Sequence, residues 1–221
     1  MTDYNQQGID QMKDGEFEKA AASFNQAIEE NPQDAVAFAN FGNLLTAIGQ
    51  PEKAVNFYEK AIELDDTVAA AYYGAGNALY NLEQYDKAKK MYSAAIEHGL
   101  READAYFMLG MVHVQKDEIK EALPHLSHAV ELNKADAEAR FQYGLCLAKL
   151  ERVEEAVSQF QAAVEENPEH ADALYNLGVA YAFQDKPHDA LKMFEKALDV
   201  QPNHLLAANG KKNMNKLLSG D

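Results

Sequence analysis

Glycine recurs in this sequence at a fixed interval of 34 residues, and the interval constrains the fold more than any other feature. The series comprises Gly8, Gly42, Gly76, Gly110, Gly144 and Gly178. Two alanine series keep the same step, from Ala20 to Ala190 and from Ala27 to Ala197. Because self-similarity at a fixed period marks a repeat architecture, the chain is predicted to be a tandem array. The predicted repeats are 1–34, 35–68, 69–102, 103–136, 137–170 and 171–204, and each position from 1 to 34 within a repeat is called a column.

Each repeat carries two segments with helical periodicity. In repeat six the apolar residues Ala173, Leu174 and Leu177 lie at helical steps, and Ala190, Leu191 and Phe194 repeat the pattern further on. Small residues at columns 8, 20 and 27 allow close approach of helix backbones, and the large apolar residues of column 24, mostly aromatic, fill the remaining space. Column 15 holds residues suited to a tight turn, namely Gly15, Gly49, Asp117 and Asp185. Each repeat is therefore predicted to be a helix–turn–helix unit without β-strands.

These columns resemble the tetratricopeptide repeat (TPR), which has a 34-residue period. Column 4 is bulky and apolar in five repeats, and column 32 carries proline at Pro32, Pro168 and Pro202. The resemblance covers residues 1–204 without an insertion. It implies an all-α fold, a right-handed superhelical α-solenoid of helix-turn-helix repeats. Residues 205–221 are expected to form a C-terminal capping helix and tail, since leucines and Met214 alternate there with lysines.

Composition and charge exclude several classes of function. The formal net charge of −16 argues against nucleic acid and against anionic membrane surfaces, because both are bound through clustered Lys and Arg. No apolar run is long enough for a transmembrane helix, and the first residues do not resemble a signal peptide. The single cysteine, Cys146, lies in a core column, which suits a reducing compartment. A cytoplasmic location is expected.

The sequence offers few groups for catalysis or metal binding. Cys146 and His113 both fall in core columns and are predicted to be buried. Glu121, His125 and His128 lie at helical spacing and could meet on one face, yet a solvated helix surface is the preferred interpretation. We therefore expect neither an enzyme nor a bound cofactor or metal.

The TPR resemblance implies that columns 2, 5, 6, 9 and 12 of the first helices line a concave groove. Amide side chains in these columns suit peptide recognition, because they can donate to and accept from an extended backbone. Aromatic and Met side chains supply apolar anchors. The candidate groove residues are Asn40, Asn43, Tyr73, Asn77, Asp104, Phe107, Met108, Met111, Glu138, Phe141, Leu145, Asp172, Tyr175 and Asn176.

Departures from the common TPR pattern are the more informative members of this set. Phe107, Met108 and Met111, with Phe141 and Leu145, are predicted to form an exposed apolar patch. A row of column-2 acids, Asp104, Glu138 and Asp172, is predicted to flank it. The expected ligand is a short helix or extended peptide with large apolar residues and neighbouring Lys or Arg. Packing against neighbouring helices and self-association remain alternative interpretations of the patch.

Some TPR domains hold an acidic chaperone C-terminus through a column-5 lysine and further basic groove residues. Column 5 contains no lysine in this sequence, so no binding of such peptides is expected. The sequence therefore predicts a non-catalytic adaptor or assembly scaffold that binds a protein partner in its groove. The alternatives are a self-assembling structural protein and, less favoured, an unrecognised enzyme or metal-binding protein.

Overall fold

The structure, a computed structural model, describes residues 2–220. In that range the chain forms helices joined by turns and contains no β-strand. The helices are α1 (Tyr4–Lys13), α2 (Phe17–Glu30), α3 (Ala35–Ala47), α4 (Pro51–Leu64), α5 (Ala69–Asn81), α6 (Tyr85–Glu97), α7 (Ala103–Gln115), α8 (Ile119–Leu132), α9 (Ala137–Lys149), α10 (Val153–Glu166), α11 (Ala171–Phe183), α12 (Pro187–Val200) and α13 (Leu205–Ser219). The predicted all-α class and helix-turn-helix repeats are confirmed.

The chain divides into two compact units, with the division between Lys116 and Asp117. The N-terminal unit contains α1–α7 and the C-terminal unit contains α8–α13. Within both units the two helices of a repeat pack on each other, and each second helix packs on the first helix of the next repeat. Both kinds of packing, within a repeat and between consecutive repeats, follow from the apolar faces of the two helices of each repeat.

Five column-8 glycines lie directly against the aromatic ring of column 24 in the same repeat, namely Gly8, Gly42, Gly76, Gly144 and Gly178. A Cβ atom added to Gly42 would lie 2.7 Å from the Tyr58 ring, and one added to Gly144 would lie 2.6 Å from the Phe160 ring. Both rings are almost completely buried. Such distances are too short for any side chain, so the ring occupies the space that a Cβ would need. This contact explains the glycine in the five repeats that carry an aromatic residue in column 24.

The turn between the two helices of each repeat places column 15 in the left-handed region. Gly15 and Gly49 have φ of +76° and +73°, and Asp117 and Asp185 both have φ of +57°. The predicted tight turn is confirmed at these positions. The structure adds Glu83 and Glu151, whose φ values are +57° and +60°. Glutamate gives no sequence signal for this conformation, because its side chain does not favour left-handed backbone.

Replacing Glu151 by glycine is expected to stabilise the protein by about 1 kcal/mol, because glycine removes the steric cost of positive φ. Chemical denaturation of the two proteins measures the change. Glu154→Gly is the matched control, since Glu154 is an exposed residue in the first turn of α10. That control should lose about 0.5–1 kcal/mol. Equal losses in both variants would show that the turn carries no strain.

The C-terminal helix that the sequence predicts is present as α13. Ala207 is fully buried, and Gly210 lies on the Phe194 ring, where an added Cβ would be 2.8 Å from Cζ. Gly210 therefore contributes close packing to α13, although glycine alone weakens a helix. The exposed side chains of α13 include the polar Lys212 and Asn215 and also Leu205, Leu206 and Leu217, so its outer surface is mixed in character.

Candidate functional site

The groove columns of the N-terminal unit contain asparagines whose oxygen atoms are held by tyrosines. The Tyr58 hydroxyl donates to Oδ1 of Asn43 at 2.7 Å, and the Tyr92 hydroxyl donates to Oδ1 of Asn77 at 2.8 Å. Burial raises the pKa of both tyrosines, so each remains a donor at neutral pH. The amide of Asn77 also interacts with the Tyr73 hydroxyl, a contact that favours the ionised form of Tyr73. Asn43 is exposed and its amide nitrogen remains a donor that can bind a ligand's carbonyl oxygen.

Two further predicted residues of this unit make defined contacts. Asn40 donates through Nδ2 to Oδ1 of Asn5 at 3.0 Å, which links α3 to α1. The Tyr73 ring packs against Tyr92, with centroids 5.8 Å apart, and burial raises the pKa of Tyr73. Asn40 and Tyr73 are half-buried, so each combines a structural contact with a surface that remains accessible.

A pocket of about 280 Å³ lies between α1 and α3. Its lining includes Ile9 and Met12 of α1, Asn40 and Asn43 of α3, and Phe24 of α2. Phe24 is fully buried and therefore forms the floor. We call this cavity the N-terminal pocket. It places apolar walls beside the amide donor of Asn43.

The five residues of the predicted apolar patch belong to different units. Phe107, Met108 and Met111 lie on α7 in the N-terminal unit and are half-buried, and Met108 packs against the core around Leu79 and Tyr92. Asp104, at the start of α7, is exposed. Phe141 and Leu145 lie on α9 in the C-terminal unit, where Leu145 is half-buried.

Phe141 differs from the expectation of an exposed groove residue. Only 7% of it is exposed, because its ring packs against Phe160 at 6.0 Å and against His170 at 4.6 Å between centroids. Tyr175 has the same surroundings one repeat later, 5.8 Å from Phe194 and 5.1 Å from His204. A column-5 aromatic thus fills space between the column-24 ring and a histidine, and Phe141 supports the groove surface from below.

The two histidines also engage the predicted row of acids. Nε2 of His170 lies 3.4 Å from Oε2 of Glu138, and Nε2 of His204 lies 3.2 Å from Oδ1 of Asp172. Nδ1 of each histidine accepts a backbone N–H of the helix that follows, from Ala173 at 3.3 Å and from Ala207 at 3.1 Å. Since Nδ1 of each ring accepts from the backbone, Nε2 is the ring nitrogen that faces the carboxylate.

These contacts change the character of the acidic row. The nearby His170 ring lowers the pKa of Glu138, and Gln142 donates to this carboxylate at 2.7 Å. Glu138 and Asp172 are therefore partly engaged with the residue that begins the following helix, although both remain exposed. The sequence-based prediction did not include these two histidines. They occupy column 34, where Asp34 and Asp136 accept helix N–H groups as N-caps, so their position could have indicated a capping role.

The C-terminal unit contains a second pocket in the same register as the N-terminal pocket. It measures about 200 Å³ and is lined by Phe160 of α10 and by Asn176, Val179 and Phe183 of α11. Phe160 is buried and forms the floor, as Phe24 does in the N-terminal pocket. The side chain of Asn176 donates to the backbone oxygen of Asp172 at 2.8 Å. We call this cavity the C-terminal pocket.

Two apolar residues on the wall of the C-terminal pocket are unusually exposed. Phe183 is 76% exposed and Val179 is 42% exposed. Sequence reasoning did not single out Phe183, although column 13 holds Lys13, Asn81 and Lys149 in other repeats. A large aromatic residue in a mostly polar column is the signal that could have identified it. Exposed apolar surface beside a pocket is typical of a binding site.

The residues considered for catalysis are placed in the core. Cys146 is 2% exposed and burial raises its pKa to about 11, so the thiol is protonated at neutral pH. His113 is 7% exposed. The predicted burial of both is confirmed. His128 lies 3.4 Å from Glu131, and no three His, Cys, Asp or Glu side chains within residues 2–220 are arranged to hold a metal ion.

Among the described helices, none has the length and apolarity to cross a membrane.

Family models for the tetratricopeptide repeat match residues 11–34, 23–56, 73–131, 108–166, 147–185 and 171–204, and a TPR repeat model matches residues 42–83. The TPR repeat-containing protein YrrB of Bacillus subtilis (strain 168) is 50% identical over 39 residues, which span 18% of this chain and 19% of that relative.

Solved structures extend the similarity. The crystal structure of YrrB, described as a TPR protein with an unusual peptide-binding site, is 49% identical with a TM-score of 0.79 and covers 87% of this chain and 99% of its own. A double mutant of MamA RS-1 is 26% identical with a TM-score of 0.72, and it covers 76% of this chain and 95% of its own. The family models and the similarity to YrrB together show that this chain belongs to the tetratricopeptide repeat family.

Proposed function

We propose that the protein is a non-catalytic adaptor or assembly scaffold whose first helices bind a segment of a partner protein. The observation that supports this most directly is the pair of pockets in one register. Each has a column-24 phenylalanine as its floor and a column-6 asparagine in its wall, Asn40 in one and Asn176 in the other. A peptide-binding site described for YrrB gives independent support.

The pockets favour large apolar side chains as anchors. Volumes of about 280 and 200 Å³ accommodate a Leu, Met or Phe side chain, and their buried floors supply apolar contact. The amide nitrogen of Asn43 is available for a backbone carbonyl group of the ligand. Phe107, Met108, Met111 and Leu145 extend the apolar surface within their own units.

The charge of the chain favours basic residues near those anchors. The net charge of −16 attracts Lys and Arg at long range, and Asp104 is an exposed groove acid that has no partner within residues 2–220. Nucleic acids and acidic chaperone C-termini lack the required positive charge. We expect calorimetry to show no binding of such acidic peptides at micromolar concentration. A cytoplasmic site of action is part of the proposal, supported by the single buried cysteine.

Comparative capture tests the function. The wild-type protein and a Val179→Glu/Phe183→Glu variant serve as baits in a lysate of the organism that makes the protein, and bound proteins are identified by mass spectrometry. We expect a partner that the wild type enriches and the variant loses. Identical recovery by both baits would show that the C-terminal pocket does not bind the partner.

A self-assembling scaffold is a second candidate, and the exposed leucines of α13 favour it. Leu205, Leu206 and Leu217 are 78%, 58% and 60% exposed. Light scattering on the purified protein distinguishes the two candidates. A discrete dimer or larger assembly without any partner, lost in a Leu206→Glu/Leu217→Glu variant, would favour self-assembly.

A further inference from the structure

A larger cavity lies in the N-terminal unit on the side of α5 that faces away from Tyr73 and Asn77. It measures about 340 Å³. Ala75 and Leu79 of α5 contribute to its floor, and they point about half a helical turn away from the groove columns. The second helices α4 and α6 form its walls. We call this cavity the α4–α6 groove.

The two walls of the α4–α6 groove carry opposite charges. Glu52 and Glu59 line it from α4, and Lys87 and Lys90 line it from α6. All four side chains are exposed, and none forms an ion pair within residues 2–220. Lysine and acid do pair elsewhere in this unit, since Nζ of Lys116 lies 2.6 Å from Oδ1 of Asp86. The facing charges of the groove are therefore separated by more than ion-pair distance and remain open to a ligand.

An apolar surface lies between these charged walls. Val55 of α4 and Met91 of α6 are half-buried, and Leu79 is 5% exposed. Met91 also packs on the core cluster that contains Leu79 and Tyr92. A side chain that enters between the walls would thus leave water on apolar contacts, while its neighbours would meet glutamate on one side and lysine on the other.

This charge arrangement is not a general property of the repeat. The same columns on α2 and α4 hold Glu18 and Asn25 opposite Lys53 and Asn56. On α10 and α12 they hold Glu154 and Gln161 opposite Asp189 and Lys192. Two acids facing two lysines thus occur at α4 and α6 but not at these equivalent pairs.

We propose that the α4–α6 groove is a second docking site, separate from the first-helix pockets, for an amphipathic segment of a protein partner. The segment inserts one large apolar side chain on Leu79 and Met91. It presents Lys or Arg to Glu52 and Glu59, and Asp or Glu to Lys87 and Lys90. A ligand of a single charge sign would meet like charge on one wall, so the groove selects a segment with both signs. This inference does not depend on the proposed function of the first helices.

Three capped helical peptides with an identical Leu/Phe stripe test the selection. In the mixed peptide one flank of the stripe is Lys and the other is Glu, and in the two control peptides both flanks are Lys or both are Glu. Fluorescence anisotropy measures Kd, and methyl NMR of labelled methionine reports the contact at Met91. We expect the mixed peptide to bind at least about fivefold more tightly than both controls and to shift the Met91 signal. Tightest binding by the all-Lys peptide would reflect only the net charge and would overturn the proposal.

Charge reversal on one wall supplies the matched test in the protein. Lys87→Glu/Lys90→Glu should weaken the mixed peptide about tenfold, because the acidic flank then faces two carboxylates in place of two ammonium groups. The control Lys19→Glu/Lys53→Glu alters net charge equally at exposed sites outside the groove and should leave Kd unchanged. Equal effects of the two variants would contradict the proposal. Self-association of the protein is a further outcome to examine. If only the Lys87→Glu/Lys90→Glu variant lost it, the groove would bind a second copy of the chain and the proposal would be contradicted.

Discussion

Gly144→Val is expected to destabilise the protein by about 3 kcal/mol, one of the two largest effects that the structure predicts. A Cβ at this position would lie 2.6 Å from Cε1 of Phe160. Phe160 is 1% exposed and cannot move away without disturbing the core of the C-terminal unit. Overpacking at such sites costs about 1–3 kcal/mol for added methylenes, and a branched side chain adds more than one carbon. Thermal and chemical denaturation of the full chain measure the loss.

Ala148→Val is the matched control, because Ala148 lies on the same helix and is exposed. It should cost less than about 1 kcal/mol, the difference in helix propensity. A compensating change provides a second check. Phe160→Leu in the Gly144→Val background should recover part of the loss, since repeat four already combines Gly110 with Leu126 in these columns. A Gly144→Val protein as stable as the wild type would show that column 8 does not require glycine for packing.

Val179→Glu/Phe183→Glu is expected to weaken binding of the partner by about 2 kcal/mol or more, roughly 30-fold in Kd. Both side chains are exposed apolar residues on the wall of the C-terminal pocket. Glutamate there would place charge where the proposed ligand buries an apolar anchor. Stability should hardly change, because Phe183 is 76% exposed before the substitution. Calorimetry with the captured partner measures Kd, and circular dichroism checks the fold.

Leu132→Glu/Val200→Glu controls for the added charge and the lost apolar surface. Leu132 and Val200 are 47% and 39% exposed in the same unit, and neither lines the C-terminal pocket. This control should bind the partner as the wild type does. If both double variants lose the same affinity, the effect comes from net charge and not from the pocket.

The repeat register made the fold predictable because each column has a local cause. The Phe160 ring leaves no space for a side chain at Gly144, and the turn at Asp117 requires a positive φ. Both requirements restrict the residue type and can therefore be recognised in the sequence. The left-handed conformation of Glu83 could not be predicted, because glutamate is neither typical of such turns nor excluded from them. There the surrounding helices impose the backbone on a residue with no preference for it.

The candidate site was less predictable, because exposure depends on side chains at the junction with the following helix pair. Phe141 occupies a groove column, but the ring of His170 covers it from the start of α11. His170 gave no strong signal of its own, because Asp34 and Asp136 are the acids that cap from its column while Val68 and Glu102 make no side-chain cap. Phe183, conversely, lies on the wall of the C-terminal pocket and is 76% exposed. Column patterns identify the face, whereas the contacts between repeats decide which residues a ligand can reach.

Site-specific photo-crosslinking in cells tests the central claim, that the first helices bind a partner protein, most directly. A benzophenone amino acid replaces Asn43 in one variant and Phe183 in another, both exposed residues that line pockets. Glu63 and Glu165, exposed on second helices, are the control positions. We predict crosslinks to a partner protein from the two pocket positions and none from the controls. Crosslinks to that partner from the control positions alone would contradict the account.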